Sequence, residues 1–146
     1  MNRAKLLELW NDQWTAGNWI PSWPDALVNL TFEESIWTPV QESHSIWQEL
    51  VHVNFWRQAT LRLLAGGERP TDEETAQLEF AQPYPPTPPK LEATLAQLKA
   101  THDLLAAAIQ DEAVDISRIT YHLIHDAYHL GRITHLRAMQ GVKPNL

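Results

Sequence analysis

Four of the chain's seven histidines, His122, His125, His129 and His135, crowd into fourteen residues near the C-terminal end. The run Tyr121-His122-Leu123-Ile124-His125-Asp126-Ala127-Tyr128-His129-Leu130-Gly131-Arg132-Ile133 reads as helix. An α-helix turns about 100° per residue, so His125 and His129 stand only about 40° apart, one turn from each other on one face. Two imidazoles so placed can close on a single metal ion, as they do in the zinc-binding helix of metalloproteases. Those proteases carry a Glu after the first His; Asp126 stands here, so their mechanism does not transfer.

His129 shares its stripe with Ile133 and Leu136 and therefore points toward a core. An imidazole left unsatisfied there costs roughly 1–3 kcal/mol, and a shared metal satisfies two at once. Earlier in the chain, His52 lies on a stripe with Trp56, Ala59 and Leu63, all within about 40° of it. Three inward imidazoles from two helices can meet inside a bundle. Three protein ligands with a fourth position open is the usual form of a catalytic zinc site. With no cysteine in the chain, any metal must be held by nitrogen and oxygen. Neutral imidazole suits zinc, nickel, copper and iron; zinc and nickel head the expectation of one divalent ion.

A second pair at the same spacing, His122 and Asp126, competes with His125 and His129. His122 is about 20° from His129 on the helix wheel, so it can line the site or hold a water beside it. His44, His102 and His135 read as cap, surface or core residues. Trp56, Tyr121, Asp126, Tyr128 and Arg132 are candidates to line the pocket or orient a ligand, each with a structural reading beside it. The rival explanation of the whole constellation is a set of core histidines satisfied by Asp, Tyr or water, with no metal.

These residues need long helices to bring them together. The spacing of Leu6, Leu9, Trp10 and Trp14 predicts a first helix over residues 2–18, stopped by Gly17 and Pro21. Pro24 can open a short helix to Leu30, and Thr31 with Glu34 forms a capping box before Pro39 breaks the chain. A second long helix starts at Ser43 or Ser45 as N-cap and runs to Leu64 or Ala65, where Gly66-Gly67 stops it. Residues 68–89 read as a polar, proline-rich connection in which Pro83, Pro85, Pro86, Pro88 and Pro89 exclude regular helix. A surface connector is preferred there over an SH3 or WW ligand. Leu91, Leu95, Leu98, Leu105 and Ile109 predict a third helix over 90–110. The last begins near Asp115 or Ser117 and ends at Gln140, before Gly141 and Pro144. Nothing alternates like a strand, so the fold class is all-α, a four-helix bundle with a long connection between its second and third helices.

The bulk numbers agree with this reading. The 146 residues suggest a single domain over 1–146, with 44% hydrophobic and 20% charged residues. All seven tryptophans fall in the first 56 residues and read as large core side chains. A net charge of −7 and a pI near 5.4 argue against nucleic acid as a partner. No apolar run approaches the roughly 20 residues of a membrane span and no signal-peptide pattern opens the chain, so the expected place is the cytoplasm.

The stretch Ser43-His44-Ser45-Ile46-Trp47-Gln48-Glu49-Leu50-Val51-His52-Val53-Asn54-Phe55-Trp56-Arg57, the later run from His125 to Ile133 and the Leu30-Thr31-Phe32-Glu33-Glu34-Ser35-Ile36-Trp37-Thr38-Pro39 segment resemble the DinB-like family of damage-inducible bacterial proteins. The likeness spans roughly residues 26–141 and has no connection to the DNA polymerase of the same name. It implies an up-down-down-up four-helix bundle, often a homodimer. It also implies a metal site built from one His of the second helix and a His-x-x-x-His pair of the last, which map onto His52, His125 and His129. Characterised proteins of this kind include metal-dependent thiol transferases, which activate a low-molecular-weight thiol such as bacillithiol or mycothiol, and mycothiol-dependent maleylpyruvate isomerases. The resemblance thus points to a thiol S-transferase acting on a small electrophile, and otherwise to a non-catalytic metal-binding or dimerising bundle of the stress response.

Overall fold

The computed structural model describes residues 1–17 and 19–142, and among them the chain is all-helical. Four long helices, α1 (Arg3–Thr15), α4 (Ile46–Leu64), α6 (Pro88–Gln110) and α7 (Ser117–Met139), form a bundle. Three short ones, α2 (Trp23–Leu27), α3 (Phe32–Ile36) and α5 (Asp72–Leu78), lie in the connections. Side-chain caps set most of the N-termini. Ser45 accepts from Gln48 N while the Gln48 side chain returns to Ser45 N, and Thr31 with Glu34 closes the same reciprocal box on α3. Gly66, in the left-handed region at φ 84°, ends α4 as its sequence predicts.

α4 is the hub, packed along both α6 and α7, while α1 lies on α6 and α2 on α7. One core cluster joins Ile46, Leu50 and Val53 of α4 to Leu98 of α6, Leu130, Ile133 and Leu136 of α7, and Trp23 and Ala26 of α2. A second joins Leu6 and Trp10 of α1 to Leu105, Ile109 and Ile119. These clusters tie α4 and α7 into a rigid frame, and the histidines project from that frame. Trp10, Trp23 and Trp47 are fully buried, as the tryptophan reading expects, but Trp19 stands wholly in solvent.

The connection between α4 and α6 departs from expectation. Residues 68–89 contain α5, whose N-terminus is closed by a Thr71–Glu74 capping box and which buries none of its residues. With no apolar face to bury, α5 leaves no periodic signal to set against the prolines that follow it. Pro88 and Pro89 do not precede α6 but open it, because the first helical N–H groups have no intrahelical partner and proline's fixed φ suits those positions. At the other end α1 stops at Thr15, short of the expected boundary. Gly17 takes φ 70°, and a side chain there would collide with the Ile20 carbonyl. Asn18 and Pro144, invoked at the ends of the first and last helices, lie outside the described residues.

Candidate metal centre

α4 and α7 run side by side, and along their contact they bring together His52, His125 and His129. One ring nitrogen from each lies within 4.8 Å of the other two. His52 Nε2 and His125 Nε2 face each other at 3.2 Å. The ring centroids of His129 lie 4.6 Å from His52 and 4.5 Å from His125. His52 and His129 are buried and His125 is half-buried.

A carboxylate stands behind each ring. His129 Nδ1 lies 2.6 Å from Glu49 Oε2, His125 Nδ1 3.3 Å from Asp126 Oδ1, and His52 Nδ1 3.5 Å from Glu79 Oε2. The carboxylates are acceptors, so those of Glu49 and Asp126 favour the proton on Nδ1 of His129 and His125 and leave their Nε2 lone pairs bare, whereas His52 Nδ1 makes no hydrogen bond and its tautomer is not set by a partner. With the His52 proton on Nε2 this contact is an N–H···N hydrogen bond; with it on Nδ1 the two lone pairs converge at 3.2 Å, where a cation between them removes the repulsion. Bonds of about 2.0–2.1 Å put neighbouring ligand nitrogens about 3.0 Å apart in an octahedral site and about 3.3 Å apart in a tetrahedral one. The observed spacing falls in that range, and carboxylates behind metal-binding imidazoles are the usual orienting partners. The residues therefore fit a single divalent ion.

The electrostatics favour the same ligand state. Burial lowers the His52 pKa to about 3, with His129 and His125 adding to the effect, so its ring is neutral at ordinary pH. Burial pushes Glu49 upward, but hydrogen bonds from His129 and Arg132 outweigh it and hold Glu49 below the usual carboxylate range. Arg132 Nε donates to Glu49 Oε1 at 2.8 Å and its Nη1 reaches the Tyr128 hydroxyl at 3.3 Å. Burial also pushes Asp126 upward and Arg57 pulls it back below the normal range. Arg57 donates from Nε and Nη2 to Asp126 Oδ2 at 3.0 and 2.6 Å, and its guanidinium lies 5.0 Å from the Trp10 ring and 5.4 Å from that of Trp23. The carboxylates of Glu49, Glu79 and Asp126 against Arg57 and Arg132 leave one net negative charge, which favours an incoming dication.

His122 forms a second group with His125 and Asp126. Its Nε2 lies 2.8 Å from Thr60 Oγ1, while its Nδ1 has no hydrogen-bond partner. That group is the poorer cation site, because Arg57 already neutralises its only carboxylate. Trp56 meets His52 edge-on at 6.3 Å between ring centroids, and Tyr128 meets His129 edge-on at 5.1 Å. Tyr121 and His135 are both exposed. His102 is a core residue stacked on Trp10.

Sequence reasoning did not single out Glu49, Arg57, Glu79 or Phe80. Glu49 and Arg57 carried a signal: both are charged residues of a helix that must bury its inner face, and such charges need partners. Glu79 and Phe80, just after α5, carried none. Phe80 stacks on His52 with ring centroids 4.2 Å apart, and His44 stacks on Phe80 at 3.6 Å.

Fold and site together define a helical bundle with a three-histidine centre between two of its long helices. The family model described as the DinB superfamily matches residues 22–140, and the chain belongs to that family. No curated protein and no solved structure matches it.

Proposed function

We propose that the chain binds one divalent ion, zinc or nickel, through His52, His125 and His129, and with it joins an intact low-molecular-weight thiol, through its sulfur, to a small electrophile, the thiol proton being released as the new S–C bond forms. The observation that carries this reading is the convergence of three ring nitrogens, each ring backed by a carboxylate. A bound ion with an open position lowers the pKa of a thiol or water and supplies a nucleophile at neutral pH. The chain's own residues prepare for that chemistry. Glu49 accepts from His129 Nδ1 in the tautomer its carboxylate favours, and Arg132 donates to Glu49, so the pair orients the ring. Phe80 lies flat on His52 and keeps bulk water from that side. The thiol class, bacillithiol or mycothiol, comes from the resemblance alone.

The test has two stages. Protein purified without chelator and reloaded with zinc or nickel should hold about one ion per chain, and less than about one-tenth would refute the site. The loaded protein should then conjugate bacillithiol or mycothiol to a small electrophile, and His129→Ala should abolish turnover with its circular dichroism unchanged.

A second reading, a dimerising bundle without catalysis, has its own support. Tyr121, Ile124 and Tyr128 form an exposed stripe on the outer face of α7. A homodimer through that stripe should dissociate in Ile124→Glu, as read by sedimentation. Full metal loading with no turnover on either thiol would favour this reading.

A further inference from the structure

The underside of α5 is hollow. Between α5 and α4 lie two cavities of about 320 and 390 Å³, both lined by Ala59 and Pro70 and so adjoining. The larger extends along Trp56, Thr60 and Leu63 of α4 to Arg118 in the first turn of α7, with Arg69 contributed by the connection. Its volume lies within the roughly 300–1,000 Å³ of small-molecule sites.

The two arginines set this cavity apart. Arg62, beside the smaller cavity, is paired with Glu74 at 3.7 Å. Arg69 and Arg118 have no ion-pair or hydrogen-bond partner among the described residues. Asp72 is the acidic side chain of the same lining. Asp115 accepts from the Ser117 amide and hydroxyl at 2.9 Å each, and the Arg118 charge adds to these bonds in holding its carboxyl below the usual range, without an ion-pair contact. Two guanidiniums without an ion-pair contact, against the single carboxylate of Asp72 in the lining, leave a positive excess over the floor of Trp56, Ala59 and Leu63 in a chain of net charge −7. Their planar forks match the oxygens of carboxylate and phosphate.

We propose that this hollow binds a small molecule with a doubly charged oxyanion head and an apolar body. Arg69 and Arg118 hold the head, and Trp56, Ala59 and Leu63 receive the body. The site stands whether or not a metal is bound at the histidines, although Trp56 is shared between the two places.

Isothermal titration of the full chain at low salt tests it with three probes: benzylsuccinate, phenyl phosphate and the uncharged dimethyl ester of benzylsuccinate. At least one dianion should bind saturably at one per chain, the ester should not, and Arg69→Gln and Arg118→Gln should each weaken binding about fivefold or more. Which dianion binds assigns the head as carboxylate or phosphate. The proposal is overturned if neither saturates, if the ester binds as well, or if either substitution leaves affinity unchanged. Both arginines are exposed, so neither change threatens the fold. Metal content is measured on the same samples, and it should match the unaltered protein in both variants. A failure of the histidine centre is thereby distinguished from a failure of this pocket.

Discussion

Glu49 Oε2 lies 2.6 Å from His129 Nδ1, so a fully buried carboxylate on α4 fixes an imidazole on α7. The same carboxylate takes Arg132 Nε on its other oxygen. Glu49→Gln keeps the volume and can still offer one oxygen, but removes the charge that both partners answer. Metal affinity should fall about 10–100-fold, the usual effect of losing such an orienting partner. Competition against a calibrated chelator measures it, and an affinity equal to that of the unaltered protein would falsify the orienting role.

The two overlapping clusters on α7 make opposite predictions for His122. Burial lowers its pKa to about 4, so it is a neutral ring, and its Nε2 is engaged with Thr60. If the ion sits among His52, His125 and His129, His122→Gln should keep about one ion per chain while His125→Ala loses it. Elemental analysis decides. A His122→Gln protein purified bare would move the site to His122, His125 and Asp126.

Much of this was readable in the chain, for physical reasons. A cap at Ser43 or Ser45, Gly66-Gly67 as a stop and the long apolar stripe announce α4 because caps and periodicity are local properties, and the structure places the cap at Ser45. The 3.6-residue repeat likewise turns His52, His125 and His129 inward without any knowledge of neighbours. Arg57 and Asp126 were harder: each is charged, and only their pairing across helices explains their burial. Glu79 and Phe80 were beyond reach, because their place over His52 depends on the path of the connection. α5 was hidden because a surface helix with nothing to bury has no apolar period, and the five prolines after it suggested extended chain.

His102 offers a pH test away from the histidine centre. It is buried against Trp10 and Trp14, and burial lowers its pKa to about 4, with Arg57 adding to the effect. In the unfolded chain the ring takes a proton near pH 6.5, but in the folded chain only near pH 4. Between those values the unfolded state binds more protons, so this group's contribution to stability is whole above about pH 6.5 and is lost as pH falls toward 4. His102→Phe keeps a ring in the stack and removes the titration. In chelator-treated protein, urea unfolding across pH 6.5 to 4 should lose stability less steeply in the variant, by up to about 1.4 kcal/mol per pH unit. Equal slopes would show that His102 is not held neutral.

Phe80 tests the cover over the centre. It provides no ligand atom, yet it stacks on His52 while His44 stacks on it, and the connection is tied down where Ser45 Oγ donates to Gln82 Oε1 at 3.1 Å. Phe80→Ala should leave α5 intact, since its Thr71–Glu74 box lies at the far end. It should open one side of the site to solvent and chelator. An apolar shell controls access more than it controls donor strength, so the rate of metal removal by chelator should rise several-fold, to about tenfold, with equilibrium affinity changed less. Stopped-flow release into a chromogenic chelator reads the rate directly. An unchanged rate would mean that the ion exchanges by another route, and that Phe80 serves only to pack the connection onto α4.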